Sequence, residues 1–335
     1  MNKLISYIFL ATIFLLFSQC DSDDQPEYLF RASLLTSENH TWFRAFDFFA
    51  QEIEKRTEGR IKVEVYPSQQ LGKEIESIRM IQAGVIDMTI TGSPLSNWFD
   101  IAAFCEMPFL LRDSAEKAMI IHGEIGQRME SEMIEKVGLR AIGTFERGPR
   151  HLTSNRPIKH PDELNGLIIR VPNVPSFVTA WSAMGAKPTP MAFSEVFTSL
   201  QQGTIEAQEN PFAMIRSAGF AEVQAYLNLT GHVVSWSYPV VGEKQFQALP
   251  DDLKMIFLET AKDMQVFQHK DFNQNEEKVR QELIDKGMKF VEVDKAAFGE
   301  KCEQAIFESL SPEMQEVYRQ FMEEVSVLRN GKSEG

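Results

Sequence analysis

Two twelve-residue segments of one design constrain this chain more than any other feature. From Glu76 the sequence reads E-S-I-R-M-I-Q-A-G-V-I-D, and 119 positions later, from Glu195, it reads E-V-F-T-S-L-Q-Q-G-T-I-E. Glutamate, an aliphatic residue, glutamine, glycine, isoleucine and an acid recur in one register without a gap. Each copy spells a helix, a glycine free to adopt the left-handed conformation that ends it, and then a strand. One unit used twice, about half a chain apart, predicts two lobes of related construction. The 335 residues suit two domains, and 43% hydrophobic with 24% charged residues is the balance of a soluble globular protein.

Elsewhere strand-like and helix-like patterns alternate. Tyr28 to Leu35 is an apolar run of strand length, and Trp42, Phe46, Phe49 and Ile53 fall at helical spacing before Gly59. Ile61, Val63 and Val65 alternate as a strand, Ile75, Ile78 and Ile81 mark a helix, and Val85 to Thr91 a further strand. The alternation predicts an α/β fold with a mainly parallel sheet covered by helices on both faces. From Asp251 to Lys286 there is neither glycine nor proline. A single helix of that length would run about 54 Å, longer than one lobe is wide. Its polar middle, Gln268 to Lys278, could bridge the lobes; the alternative is two helices broken near Asn273 to Asn275.

The N-terminus reads as an export signal. Lys3 precedes the apolar run Leu4 to Phe17, which is too short to span a bilayer as a helix. Cys20 follows, then the polar stretch Asp21 to Glu27, so residues 1–20 read as a signal peptide with a possible lipoprotein cysteine and 21–27 as a tether. No later run suggests a transmembrane segment. Cys105 and Cys302 lie in apolar contexts and read as buried thiols, although an oxidising compartment would permit a pair.

The 48 acidic against 34 basic side chains leave a formal charge of −14, which repels phosphate backbones and makes nucleic acid an unlikely partner. A carboxylate ligand would have to be caught by a few local cations. No phosphate loop, cysteine-rich metal box or nucleophile elbow is present, so no cofactor or metal is expected. Arg170 stands in the apolar strand Leu167-Ile168-Ile169-Arg170-Val171-Pro172, near the strand end where open α/β sheets place ligands. A cation there needs an anion, either a bound guest or an internal glutamate. Arg150 follows Gly148-Pro149, read as a turn entering a new strand, and two such arginines can clamp one carboxylate. Asn210 follows the second repeat strand, Thr204 to Gln208, and could donate its amide or simply form a turn. Glu74 is a helix-start charge or a hydroxyl acceptor, and Phe193 and Trp236 are core residues or faces for a sugar-like ligand.

These residues carry a family likeness. Thr153-Ser154-Asn155-Arg156-Pro157-Ile158, Pro161-Asp162-Glu163-Leu164-Asn165-Gly166-Leu167, Ile169-Arg170-Val171-Pro172, Gly185-Ala186-Lys187-Pro188-Thr189-Pro190-Met191 and Gln208-Glu209-Asn210-Pro211 follow in order. With the earlier Gln70-Leu71-Gly72-Lys73-Glu74 and Met107-Pro108-Phe109-Leu110, the chain resembles the extracytoplasmic receptors of tripartite ATP-independent periplasmic (TRAP) transporters, in the branch of C4-dicarboxylate and sugar-acid receptors. The resemblance implies a two-lobe periplasmic-binding-protein-like fold with a hinge and no enzymatic activity. It implies lobe I at 28–147 plus about 236–268, lobe II at 148–235 plus about 278–308, a lobe-spanning helix at 251–286 and a C-terminal helix at 310–329. Arg170 would be the principal carboxylate partner, Arg150 and Asn210 would complete the clamp, Phe193 would pack on the ligand, and Glu74 and His40 would reach hydroxyls. Expected partners are a uronate or aldonate, the small and large membrane subunits, and the membrane itself through Cys20. The rival readings are a C4-dicarboxylate receptor, the ligand subunit of a sensor, and a secreted enzyme using Glu74 and His40 as acid and base.

Overall fold

A computed structural model describes residues 25–333. The expected signal segment and Cys20 lie outside the described residues. The chain opens with β1 (Tyr28–Ser33), α1 (Thr41–Arg56), β2 (Ile61–Tyr66), α2 (Glu74–Gln82) and β3 (Met88–Thr91). After two short 3-10 turns come α3 (Ser114–His122), α4 (Glu124–Glu132), β4 (Leu139–Ala141) and the ten-residue β5 (Phe145–Ser154). The second unit runs β6 (Ile168–Val171), α5 (Pro175–Ala183), β7 (Lys187–Pro190), α6 (Val196–Gln202), β8 (Ala207–Asn210) and α7 (Phe212–Ser217). It is followed by β9 (Tyr226–Gly242), α8 (Glu243–Gln247), α9 (Asp251–Asp285), β10 (Lys289–Val291), α10 (Lys295–Ser309) and α11 (Pro312–Ser333).

The sequence repeat is visible in the backbone. Gly84 (φ 73°) ends α2 ahead of β3, and Gly203 (φ 71°) ends α6 ahead of β8, both in the left-handed region. An added Cβ would meet nothing within 4 Å at either, so backbone conformation rather than crowding calls for glycine.

The strands form one path, β2-β1-β3-β9-β5-β8-β6-β7, with β4 and β10 added on β9. Pairing is parallel in the wings (β1 with β2 and β3; β6 with β7 and β8) and antiparallel at the centre, where β9 meets β3, β4 and β5 and β5 meets β8. The mainly parallel sheet expected from the alternating pattern is thus a mixed one. Its centre is made by two long strands whose partners are far apart in sequence. Gly148-Pro149 is not a turn but lies inside β5, where the register with β9 shifts between Arg147 and Arg150. Proline cannot donate to a ladder, and the bulge absorbs it.

Three segments run through both wings. β9 spans 17 residues, about 56 Å, and β5 pairs along it on either side of the bulge. α9 spans 35 residues, about 52 Å, without a break at Asn273 to Asn275. Its first half sends Leu253, Phe257, Ala261 and Met264 into the core with α1 and β1. Its last turns send Val279 and Leu283 into a separate core with Val196, Leu200 and Ile215. Fully burying each such leucine or phenylalanine contributes roughly 1.5–3 kcal/mol, so the helix is anchored at both ends. Cys105 and Cys302 are buried free thiols.

Candidate functional site

Strand ends from both wings open on one cavity of about 390 Å³. One wall is Glu74 on α2 with Thr91 at the end of β3 and Gly92 and Ser93 after it; the facing wall is Arg170, Phe193, Asn210 and Met214. Arg147 and Arg150 reach it from β5. Five of the sequence-predicted residues, Arg170, Arg150, Asn210, Glu74 and Phe193, therefore meet in one place.

Arg170 is the third residue of β6, between Thr189 of β7 and Gln208 of β8. Its Nε and Nη2 both donate to the Met191 carbonyl, at 3.0 and 2.7 Å, and its guanidinium lies 5.9 Å from the Phe193 ring. The residue is 4% exposed, yet among the described residues no carboxylate forms an ion pair with it. Burial lowers its pKa to about 10, so it remains a cation at neutral pH. A desolvated cation with one neutral acceptor costs free energy that an arriving anion relieves.

Arg150 is differently placed. Nε and Nη2 bind the Glu209 carboxylate at 2.5 and 2.6 Å, and Nη2 also reaches the Glu209 carbonyl at 3.0 Å. Glu209 additionally meets His232 Nε2 at 2.9 Å, while His232 Nδ1 faces Thr230 Oγ1 at 2.8 Å. Burial alone would raise the Glu209 carboxyl, but Arg150 and His232 hold it down at about 2. Burial lowers His232, so a neutral imidazole donates to the carboxylate. Of the two arginines expected to clamp one carboxylate, Arg150 lines the cavity with its guanidinium already paired to Glu209, because β5 and β8 pair and bring the two together. Asn210 closes β8 itself rather than following a strand; its amide donates to Gln208 Oε1 at 2.7 Å, leaving a second amide proton and its carbonyl oxygen.

Two further predicted residues do not line the cavity. His40 caps α1, its Nδ1 accepting from Trp42 N at 3.2 Å, and burial followed by nearby Arg147 lowers its pKa to about 3. It serves the site by seating Trp42, which does line it. Trp236 is 1% exposed in the core, edge-on to Tyr238. Alternation along β9 turns its indole away from the cavity and leaves Ser237 on the lining.

Sequence reading missed Glu106, Glu209, Arg147 and His232. Arg147 donates from Nη1 to Glu106 Oε1, and Glu106 Oε2 faces Arg150 at 3.4 Å. Acids in the buried run Ala207-Gln208-Glu209-Asn210 and beside the apolar Phe104-Cys105 were the available signal. Half-buried Glu74 has its pKa raised to about 7, first by burial and then by Glu106, against the pull of Arg147, Arg170 and Arg150.

Comparison with known proteins follows the same lines. Residues 32–306 match the family described as bacterial extracellular solute-binding protein, family 7. A solute-binding protein of Roseobacter denitrificans is 44% identical over 290 residues, covering 87% of this chain and 89% of that one. The 2,3-diketo-L-gulonate-binding periplasmic protein of Escherichia coli is 31% identical over 274 residues, covering 79% and 81%. A crystal structure of a Roseobacter denitrificans TRAP periplasmic solute binding protein with bound L-galactonate superposes with a TM-score of 0.86 at 43% identity, covering 89% of this chain and 99% of that one. Among the described residues no helix is long and apolar enough to cross a membrane.

Proposed function

Because this chain belongs to family 7 of the bacterial extracellular solute-binding proteins, the receptors of TRAP transporters, we propose that it captures a polyhydroxylated monocarboxylate, an aldonate or uronate, outside the cytoplasmic membrane. It then delivers that ligand to the membrane subunits of the transporter. The observation that carries this reading is the Arg170 guanidinium, buried at the cavity wall and matched by no carboxylate among the described residues. In this reading the ligand carboxylate takes two parallel charge-assisted bonds from it, and the second amide proton of Asn210, which lines the cavity, adds a third. Phe193 packs on the ligand, and Glu74 accepts from a hydroxyl. Arg150, locked on Glu209, holds the wall rigid and contributes field rather than a free fork.

The wings act as two lobes joined by β5, β9 and α9, and the bulge at Gly148-Pro149 with the left-handed Gly231 (φ 55°) serves as the hinge. Cys20, if acylated, tethers the pair to the membrane. The relative crystallised with L-galactonate and the diketo-gulonate receptor support a sugar acid. The catalytic alternative lacks its base: His40 has one ring nitrogen committed to the α1 cap and does not line the cavity.

Titration calorimetry with L-galactonate and galacturonate tests the assignment. Removing one member of a buried charge pair costs about 3–5 kcal/mol, so Arg170→Ala should lose two to three decades of affinity or more. Unchanged affinity in a folded Arg170→Ala protein contradicts the proposal.

A further inference from the structure

We propose that the Glu106–Arg147 pair limits the cavity to one ligand carboxylate, so that the site accepts aldonates and uronates and rejects the dicarboxylic sugar acids of the same carbon length. This rests on the sugar-acid reading above and narrows it. Of the four arginines on the cavity lining Arg79 is exposed to solvent, which leaves three buried or nearly buried guanidiniums, those of Arg147, Arg150 and Arg170. Two are matched within the chain: Arg150 by Glu209, and Arg147 by Glu106, whose side chain is 3% exposed and takes both arginines. Among the described residues one buried cation, Arg170, is left over.

Arg147 marks where the rest of the ligand goes. Its side chain is 10% exposed, its guanidinium lies 5.6 Å from the Trp42 ring, and its buried Nε has no partner. β8 separates β5 from β6, so Arg147 and Arg170 approach the cavity from different strands. Beside an ion pair that is already neutral, the part of the Arg147 guanidinium that stays exposed and the Glu106 and Glu74 oxygens form a mixed donor and acceptor set. A hydroxyl, which both donates and accepts, satisfies that set; a carboxylate only accepts and would face two acids.

Calorimetry with L-galactonate and with galactarate, its analogue oxidised at the terminal carbon, tests this. The wild type should bind galactarate about a hundredfold or more weakly than L-galactonate, the order expected when a site built for a hydroxyl meets the wrong group. Glu106→Gln keeps the shape and removes the charge, freeing Arg147, and should narrow the ratio at least about tenfold. Should that variant not fold, Glu74→Gln, on the less buried side, should narrow the ratio in the same direction. Equal binding of both acids by the wild type, or an unchanged ratio in a folded variant, overturns the proposal while leaving the sugar-acid reading intact. Binding of neither aldonate nor uronate by the wild type sinks both together.

Discussion

At the scale of single residues, half-buried Glu74 and fully buried Glu209 pull stability in opposite directions with pH. The folded pKa of Glu74, about 7, lies above its reference of 4.5, so the folded protein holds that proton more tightly. Its contribution is complete below pH 4.5 and falls away as pH rises through 7. Glu209, held at about 2, stabilises above pH 4.5 and is lost as pH falls toward 2. In the ligand-free protein, Glu74→Gln should match the wild type near pH 4.5 and exceed it by roughly 1–2 kcal/mol at pH 8, discounted for water in the cavity. Melting curves across that range check it; parallel curves for the two proteins would refute the burial of Glu74. Arg170 was legible in the sequence because a cation inside an apolar strand must be explained. Its lack of a carboxylate partner was not, since Glu209 reaches Arg150 across 59 positions and nothing local announces the pair. His40 and Trp236 misled for a simpler reason: residue type named a ligand contact, while cap geometry and strand alternation decided where each side chain went.

At the scale of elements, the repeated helix-glycine-strand unit rests on backbone conformation. Gly203 is exposed, left-handed and off the cavity wall. Gly203→Ala should destabilise by about 1–2 kcal/mol without changing ligand affinity, as a lower urea midpoint with an unaltered binding isotherm would show. An unmoved midpoint would mean that the turn tolerates a side chain and that the repeat has no conformational basis. The wings were readable because period and punctuation are local there. The antiparallel centre was not, because β5 and β9 choose partners by long-range pairing, and the glycine-proline of β5 looks like a turn until its neighbours are known.

At the scale of the whole molecule, the cavity sits where strand ends of both wings face each other, and the Lys73–Glu195 pair crosses its mouth at 2.6 Å. Both side chains are half exposed, so the contact adds at most about 1 kcal/mol and cannot hold the wings together unaided. With a formal charge of −14 the surface gives an anionic ligand no distant attraction. Capture therefore depends on Arg170, the one buried cation that the described residues leave without a carboxylate. A double cycle measures that dependence: L-galactonate and its neutral amide, each titrated into the wild type and Arg170→Ala. The acid should outbind the amide by two decades or more on the wild type and by little on the variant. An equal preference for the acid on both proteins would place the ligand carboxylate elsewhere and contradict the account.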